Sequence, residues 1–148
     1  MAVEFPFITA FLCERVLFDQ DKLVSAIRIV DLFNVPEDVP PTFVIQFFAV
    51  ISLRVAPPVP DEQVRIAIWL RRVSGERERL ADPPNQPYNL REMNPDPSSP
   101  SGVSLVLQFN VIPKNFGTCY IEVEADGTIV TRIPFTIRRV PAVATLTQ

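Results

Sequence analysis

The chain has 148 residues, of which 47% are hydrophobic and 21% are charged, and its formal net charge is −3. This balance excludes an intrinsically disordered chain and predicts a single domain over residues 1–148. Basic stretches such as "RRVSGERER" are interleaved with glutamate or balanced nearby, so we expect no nucleic-acid partner. The apolar N-terminal run is interrupted by Glu4 and Glu14 and is too short for a membrane span, which predicts a cytoplasmic protein with no membrane partner.

Strand signals dominate the chain, and helix signals are nearly absent. Long segments are built from Val, Ile, Phe and Thr, which suit a pleated surface, and Gly and Pro separate them. The predicted strands span residues 6–18, 22–34, 42–55, 63–73, 103–112, 118–125 and 128–139. Seven or eight short strands joined by turns predict an all-β fold, an antiparallel β-sandwich of immunoglobulin-like or similar type.

The first two strands are separated only by Gln20 and Asp21 and should form an antiparallel pair. Counting back from this turn places Arg28 across from Glu14. Because Glu14 shares a face of its strand with Leu12, we predict a partly buried ion pair between Glu14 and Arg28 that sets the strand register. A reactive carboxylate is the alternative interpretation.

The third and fourth strands indicate where a contact surface lies. Strand three, "TFVIQFFAVISLRV", is apolar on both faces, which is typical of a central strand that is covered on both sides. Strand four alternates and directs Arg65, Trp69 and Arg71 outward. Interface anchors are enriched in Trp, Tyr and Arg, so these three residues, with Tyr120 and Tyr88, are the candidate interaction residues. The alternative is that the following loop covers Trp69.

That loop, residues 76–102, contains six of the 16 prolines and no long apolar run. A loop longer than about 15 residues is uncommon in a compact domain and is usually functional or disordered. Because proline lowers the entropy lost on ordering, we predict a proline-rich loop that serves as a fixed binding element.

The last two strands form the clearest hairpin. Asp126 and Gly127 supply the two positive φ angles of a type I′ turn. The period of two directs one set of side chains inward: Cys119, Ile121, Val123, Ala125, Ile129, Thr131, Ile133, Phe135 and Ile137. We predict that the opposite face, with Glu122 and Glu124, is solvated, and that Pro134 marks a sheet edge.

The sequence offers little material for catalysis. It has no histidine, which removes the common Ser-His-Asp and Cys-His arrangements, and it has no phosphate-binding glycine motif. Cys13 and Cys119 lack the spacing of a zinc site and are predicted to be small buried hydrophobic residues in a reducing compartment. We therefore expect no enzymatic activity, no catalytic residue and no cofactor.

Acidic turn residues are the candidate metal ligands. Asp19 and Asp21 lie in the first turn, and Glu37 and Asp38 lie after the second strand. Calcium takes six to eight oxygen ligands, which several acidic loops at one end of a sandwich could supply. Because neighbouring loops alternate between the two ends, we favour acidic turn residues that stay in water, and we expect no bound metal.

Two segments resemble a known family. "FLCERVLFDQDKLVSAIRIVDLFNVP" and "GTCYIEVEADGTIVTRIPFTI" resemble the opening and closing parts of an uncharacterised bacterial family of small proteins, which is classed only as a domain of unknown function. Cys119 departs from that pattern, which has an aromatic residue after the glycine. The resemblance implies an immunoglobulin-like or similar sandwich in the bacterial cytoplasm and implies no activity.

The function that these observations favour is a non-enzymatic module that binds a protein partner or itself, including as a homodimer, through an exposed face or edge. The alternative is a sandwich that binds calcium or a carbohydrate through the acidic loops or Trp69.

Overall fold

The computed structural model describes residues 3–18, 20, 24–81, 87–91 and 101–142. In these ranges the chain forms eleven strands and no helix. The described residues therefore contain no helix that is long and apolar enough to cross a membrane. The strands are β1 (Phe7–Phe18), β2 (Val24–Ile29), β3 (Leu32–Pro36), β4 (Ile45–Val55), β5 (Gln63–Val64), β6 (Ile66–Arg71), β7 (Arg77–Ala81), β8 (Tyr88–Asn89), β9 (Ser101–Val111), β10 (Gly117–Ala125) and β11 (Thr128–Val140).

The strands form two main sheets, as a β-sandwich-like all-β fold requires. One sheet has the order β2-β1-β4-β9 and the other the order β3-β11-β10-β6-β7, while β5 and β8 form a separate short pair. All neighbours are antiparallel except β3, which runs parallel to β11. The all-β prediction is confirmed, but the predicted number of strands was too low and the pairing is not antiparallel throughout.

The predicted second strand, 22–34, is two strands that belong to different sheets. Arg28 has a φ of 55°, a left-handed conformation that is unusual for a residue other than glycine and that bends the end of β2. Val30 donates its N–H to Leu12 O in the first sheet, whereas Asp31 O accepts from Thr136 in the second. The chain thus crosses between sheets at Val30 and Asp31, where its alternation of side chains gives no sign of a break.

The prediction that residues 76–102 form a loop was wrong in part, because this segment contains β7, β8 and the beginning of β9. β7 pairs with β6, with Arg79 opposite Trp69 and Arg77 opposite Arg71. The period-two alternation of "ERERL" was the available signal, and its high charge obscured it. Residues 82–86 and 92–100 of the predicted loop lie outside the described residues.

The hydrophobic core lies between the inner faces of the two sheets. At its centre, Phe47 of β4 contacts the rings of Phe33, Phe109 and Phe135, with centroids 5.3 to 5.8 Å apart. Both cysteines are free and buried, as predicted, and burial raises the pKa of each thiol. The inward set of the closing hairpin is confirmed for the buried residues Cys119, Ile121, Val123, Ala125, Ile133, Phe135 and Ile137.

The closing hairpin turns as predicted, with positive φ at Asp126 and Gly127. The register shifts between Val123 and Glu124, so that Ile129 lies opposite Glu124 and Val130 packs against the core. The prediction that Ile129 faces inward was therefore wrong. Pro134 pairs with β10 on one side, and β3 begins to pair with β11 only at Thr136. The predicted sheet edge is therefore present only at Pro134 itself, where the described residues supply no second neighbour, while the end of β11 is interior to the sheet.

Gly102 lies where β9 approaches β4 most closely. A Cβ atom at this position would lie 1.8 Å from the carbonyl oxygen of Leu53, and that backbone atom cannot yield without moving the strand. We expect Gly102→Ala to lower the free energy of unfolding by about 1–3 kcal/mol. Ser104 is an exposed residue of the same strand, and Ser104→Ala should change the free energy of unfolding by less than about 0.5 kcal/mol. Urea denaturation of both variants measures the difference, and equal values would contradict the close approach.

Candidate interaction surfaces

The outer face of the five-stranded sheet carries a cluster of arginine, glutamate and tryptophan side chains. Glu122 of β10 lies opposite Trp69 of β6 on one side and Arg132 of β11 on the other. Alternate residues of four neighbouring strands thus meet on one side of the sheet. We call this surface the arginine face, and its residues are Trp69, Arg71, Arg77, Arg79, Glu122, Glu124 and Arg132.

Glu122 is the centre of the arginine face and is fully buried. Its Oε2 accepts from Arg71 Nε at 3.1 Å and from Arg132 Nε at 2.9 Å, and its Oε1 accepts from Arg77 Nε at 3.1 Å. Burial alone would raise the pKa of this carboxyl, but the hydrogen bonds and charges of the three arginines outweigh it and hold the pKa below its ordinary value. Glu122 is therefore ionised at neutral pH.

Arg77 joins the two glutamates to the tryptophan. It also donates to the carboxylate of Glu124. Its guanidinium lies 4.1 Å from the centroid of the Trp69 ring, and that of Arg79 lies 5.4 Å from it. Both distances are within the range of a cation–π interaction. Burial works against the charge of Arg77, but the two glutamates more than compensate and raise its pKa.

Trp69 lies on the outward side of β6, as predicted, but it is only partly exposed. Arg77 and Arg79 cover it, and its Nε1 is buried without a hydrogen-bond acceptor. Both arginines belong to β7, which is a strand and not the proline-rich loop that was the alternative cover. The indole is the apolar floor of the arginine face.

The prediction that the polar side of the hairpin is solvated was wrong. Glu122 is fully buried and Glu124 nearly so. Arginine side chains from β6, β7 and β11 lie across the two glutamates, because a long aliphatic stem can cover a surface while its charged end stays in water. Sequence reasoning missed this cluster, although "ERER" on one strand and "YIEVEA" on another carried complementary charges.

The other candidate interaction residues fall in different places. Tyr120 is exposed and lies opposite Arg71, so it adjoins the arginine face. Arg65 precedes β6, at the far end of that strand, and its N–H donates to Asp126 Oδ1 at 2.9 Å. Tyr88 pairs with β5 and packs against the core, where burial raises the pKa of its hydroxyl. The structure thus brings Trp69, Arg71 and Tyr120 together, but not Tyr88.

The predicted ion pair between Arg28 and Glu14 is present, with 3.4 Å between Nη1 and Oε1. It is not partly buried, because the two side chains are 72% and 48% exposed. β4 pairs with β1 only as far as Cys13, so the pair lies on a ribbon of β1 and β2 that extends beyond the rest of the sheet. An exposed pair of this kind contributes at most about 1 kcal/mol.

The structure describes two of the four candidate metal ligands. Asp19 and Asp21 lie outside the described residues, and Glu37 and Asp38 are exposed after β3. Among the residues that the structure describes, no three Cys, Asp or Glu side chains are close enough to hold a metal ion.

A second surface lies at the edge of the four-stranded sheet, where β2 has no second neighbouring strand among the described residues. Leu17 on β1 and Ile27 and Ile29 on β2 are 55%, 41% and 67% exposed. Ile29 lies across β1 from Phe48, which is half-buried on the outer side of β4. The prediction that strand three is central is confirmed, since β4 lies between β1 and β9, but its outer face is only partly covered. We call Leu17, Ile27, Ile29 and Phe48 the apolar edge.

Comparisons with known proteins identify no relative. No family model and no curated protein matches the chain. An alkylpurine DNA glycosylase AlkC from Pseudomonas fluorescens, solved with DNA containing an abasic site analog, is 12% identical over 73% of this chain, with a TM-score of 0.42. The chain spans 27% of the length of that protein.

A CARDB domain from Pyrococcus furiosus, solved in complex with di-metal ions, is 13% identical over 95% of both chains, with a TM-score of 0.34. Neither TM-score is high enough to support a conclusion about topology or function. The resemblance at the two ends of the chain to an uncharacterised bacterial family stays a prediction.

Proposed function

We propose that this protein is a non-enzymatic β-sandwich module that self-assembles through the free edge of β2. The observation that carries this proposal is the apolar edge, where large hydrophobic side chains are exposed beside an open strand. Exposed edges of natural sheets are usually protected by charges, prolines or a covering segment. β2 has a single charged residue, Arg28, which pairs with Glu14 of its own chain.

The occupant of this edge is a second copy of the chain. Antiparallel pairing of two β2 strands about Ile27 would place the two Ile27 side chains opposite each other, with Ser25 opposite Ile29 and Ala26 opposite Arg28. No like charges would meet, and the contact would be two-fold symmetric. The two four-stranded sheets would then form one continuous sheet whose apolar outer surface crosses the symmetry axis.

The order of the strands supports an immunoglobulin-like type as part of the proposal. Immunoglobulin domains hold strands B and E side by side in one sheet and strands C, F and G side by side in the other. Taking β4, β6, β9, β10 and β11 as B, C, E, F and G gives the same neighbours. The two free cysteines suit the cytoplasmic setting that the proposal assumes.

Self-assembly is tested by measuring the mass of the protein in solution over a wide concentration range. We expect a concentration-dependent dimer by light scattering and sedimentation. Ile27→Lys should place two lysines opposite each other and raise the dimer dissociation constant about a hundredfold or more. Ile112→Lys, at an exposed apolar residue after β9, is the control and should leave the dimer intact.

Two results would contradict the proposal: a wild-type protein that is monomeric at its highest concentration, or an Ile27→Lys variant that dimerises as the wild type does. Circular dichroism of both lysine variants shows whether the fold is retained. If the natural partner of β2 is a strand of another protein, the wild-type protein will be monomeric at its highest concentration.

A further inference from the structure

The three arginines around Glu122 retain hydrogen-bond donors that the protein does not use. Each of them binds the Glu122 carboxylate through Nε, and a guanidinium has further N–H groups on its terminal nitrogens. Arg71 uses one terminal nitrogen for Gly75 O, and Arg77 uses one for Glu124. Across the described parts of the chain, both terminal nitrogens of Arg132 and one each of Arg71 and Arg77 have no protein acceptor.

The charge of the arginine face is opposite to that of the whole protein. Its three glutamate-bound arginines oppose two carboxylates, which leaves one positive charge in excess. The chain as a whole has a net charge of −3. The positive excess is therefore local, and it matches a small negatively charged group better than a long polyanion.

The arginine face is held in place before any partner binds. Glu122 is fully buried and binds three guanidinium groups from three different strands, which restricts their side chains. Less conformational entropy is then lost when a ligand binds the terminal nitrogens. The buried Nε1 of Trp69 is a hydrogen-bond donor with no acceptor among the described residues, an arrangement that is rare in folded proteins.

We propose that the arginine face binds a short acidic peptide segment of a partner protein. The carboxylates of the peptide accept hydrogen bonds from both terminal nitrogens of Arg132, in the forked geometry that guanidinium and carboxylate groups share, and from the one unused terminal nitrogen of Arg71. The exposed ring of Tyr120, which lies opposite Arg71, provides an apolar contact for the peptide beside these charges. This surface belongs to the other sheet from the apolar edge, so the inference does not depend on the dimer.

A peptide fits this surface better than nucleic acid does. A nucleic acid would extend beyond the arginine face onto a surface whose overall charge is negative, whereas a short peptide meets only the local positive excess. Binding of single-stranded DNA is therefore an alternative outcome that the experiment must distinguish.

Titration of the full chain with a blocked hexaglutamate peptide tests the proposal, because Trp69 is the sole tryptophan and reports directly on this surface. We expect a saturable change in tryptophan fluorescence that weakens at high salt. Arg132→Gln should weaken binding about tenfold or more, since it removes the most exposed of the three arginines. Arg132→Lys keeps the charge without the fork and should weaken binding to a smaller extent.

Arg54→Gln is the matched control, because Arg54 is an exposed arginine of the four-stranded sheet that binds Ser52 and lies outside the arginine face. It should bind hexaglutamate as the wild type does, and blocked hexaglutamine should not bind. The proposal is overturned if hexaglutamate gives no saturable change, or if Arg132→Gln and Arg54→Gln weaken binding equally. Tighter binding of a single-stranded oligonucleotide than of hexaglutamate would also overturn it.

Discussion

Replacing Phe47 with alanine is expected to lower the free energy of unfolding by about 3–5 kcal/mol. Phe47 is fully buried on the inner side of β4 and contacts the rings of Phe33, Phe109 and Phe135. Alanine would leave a cavity between the two sheets that close-packed phenylalanine rings cannot fill by small movements. Urea denaturation followed by circular dichroism measures the loss.

The adjacent residue is the matched control for this prediction. Phe48 has the same side chain but lies on the outer side of β4, where it is only half-buried. We expect Phe48→Ala to cost about 1–2 kcal/mol, well below the cost of Phe47→Ala. Equal costs for the two variants would contradict the assignment of the inner face of β4.

The second large effect is expected for Glu122→Gln, which should destabilise the fold by about 2–4 kcal/mol at neutral pH. The variant keeps the shape of the side chain but removes the negative charge that three arginines share. Those arginines are partly exposed and regain some hydration, which limits the loss. Glu76→Gln is the control, because Glu76 forms only a long, exposed pair with Lys114.

The destabilisation by Glu122→Gln should depend on pH. The folded pKa of Glu122 lies below its ordinary value of 4.5, so its charge stabilises the folded state fully above that value. This contribution is lost as the pH falls through the folded pKa. The difference in unfolding free energy between wild type and variant should therefore be largest at neutral pH and shrink in acid. Denaturation curves measured from neutral to acid pH check this, and a difference that does not change with pH would contradict the depressed pKa.

Part of the candidate site could be predicted from local patterns. Alternation along β6 placed Trp69 and Arg71 on one outward face, and alternation along β10 placed Tyr120 and Glu122 on another. Whether those faces met depended on which strands became neighbours. The pairing of β10 with β6 joined them, and it is a contact between residues about fifty positions apart in the chain.

The burial of Glu122 could not be predicted in the same way. A glutamate on the polar side of an amphipathic strand is normally solvated. Its burial requires arginines from β6, β7 and β11 to lie over it, and β7 belongs to a segment whose charge and proline content indicated a loop. The environment of the residue was decided by its neighbours across the sheet.

The amino-acid sequence by itself determined the all-β class, the closing turn at Asp126 and Gly127, and the inward side chains of the long strands. These features depend on backbone preferences and on a period of two, which act between residues close together in the chain. Only the tertiary structure decided the crossing between sheets after Arg28, the open edge of β2 and the assembly of the arginine face. The physical reason is that each of these features depends on which distant strands pair. Local side-chain patterns do not specify which strand becomes the neighbour.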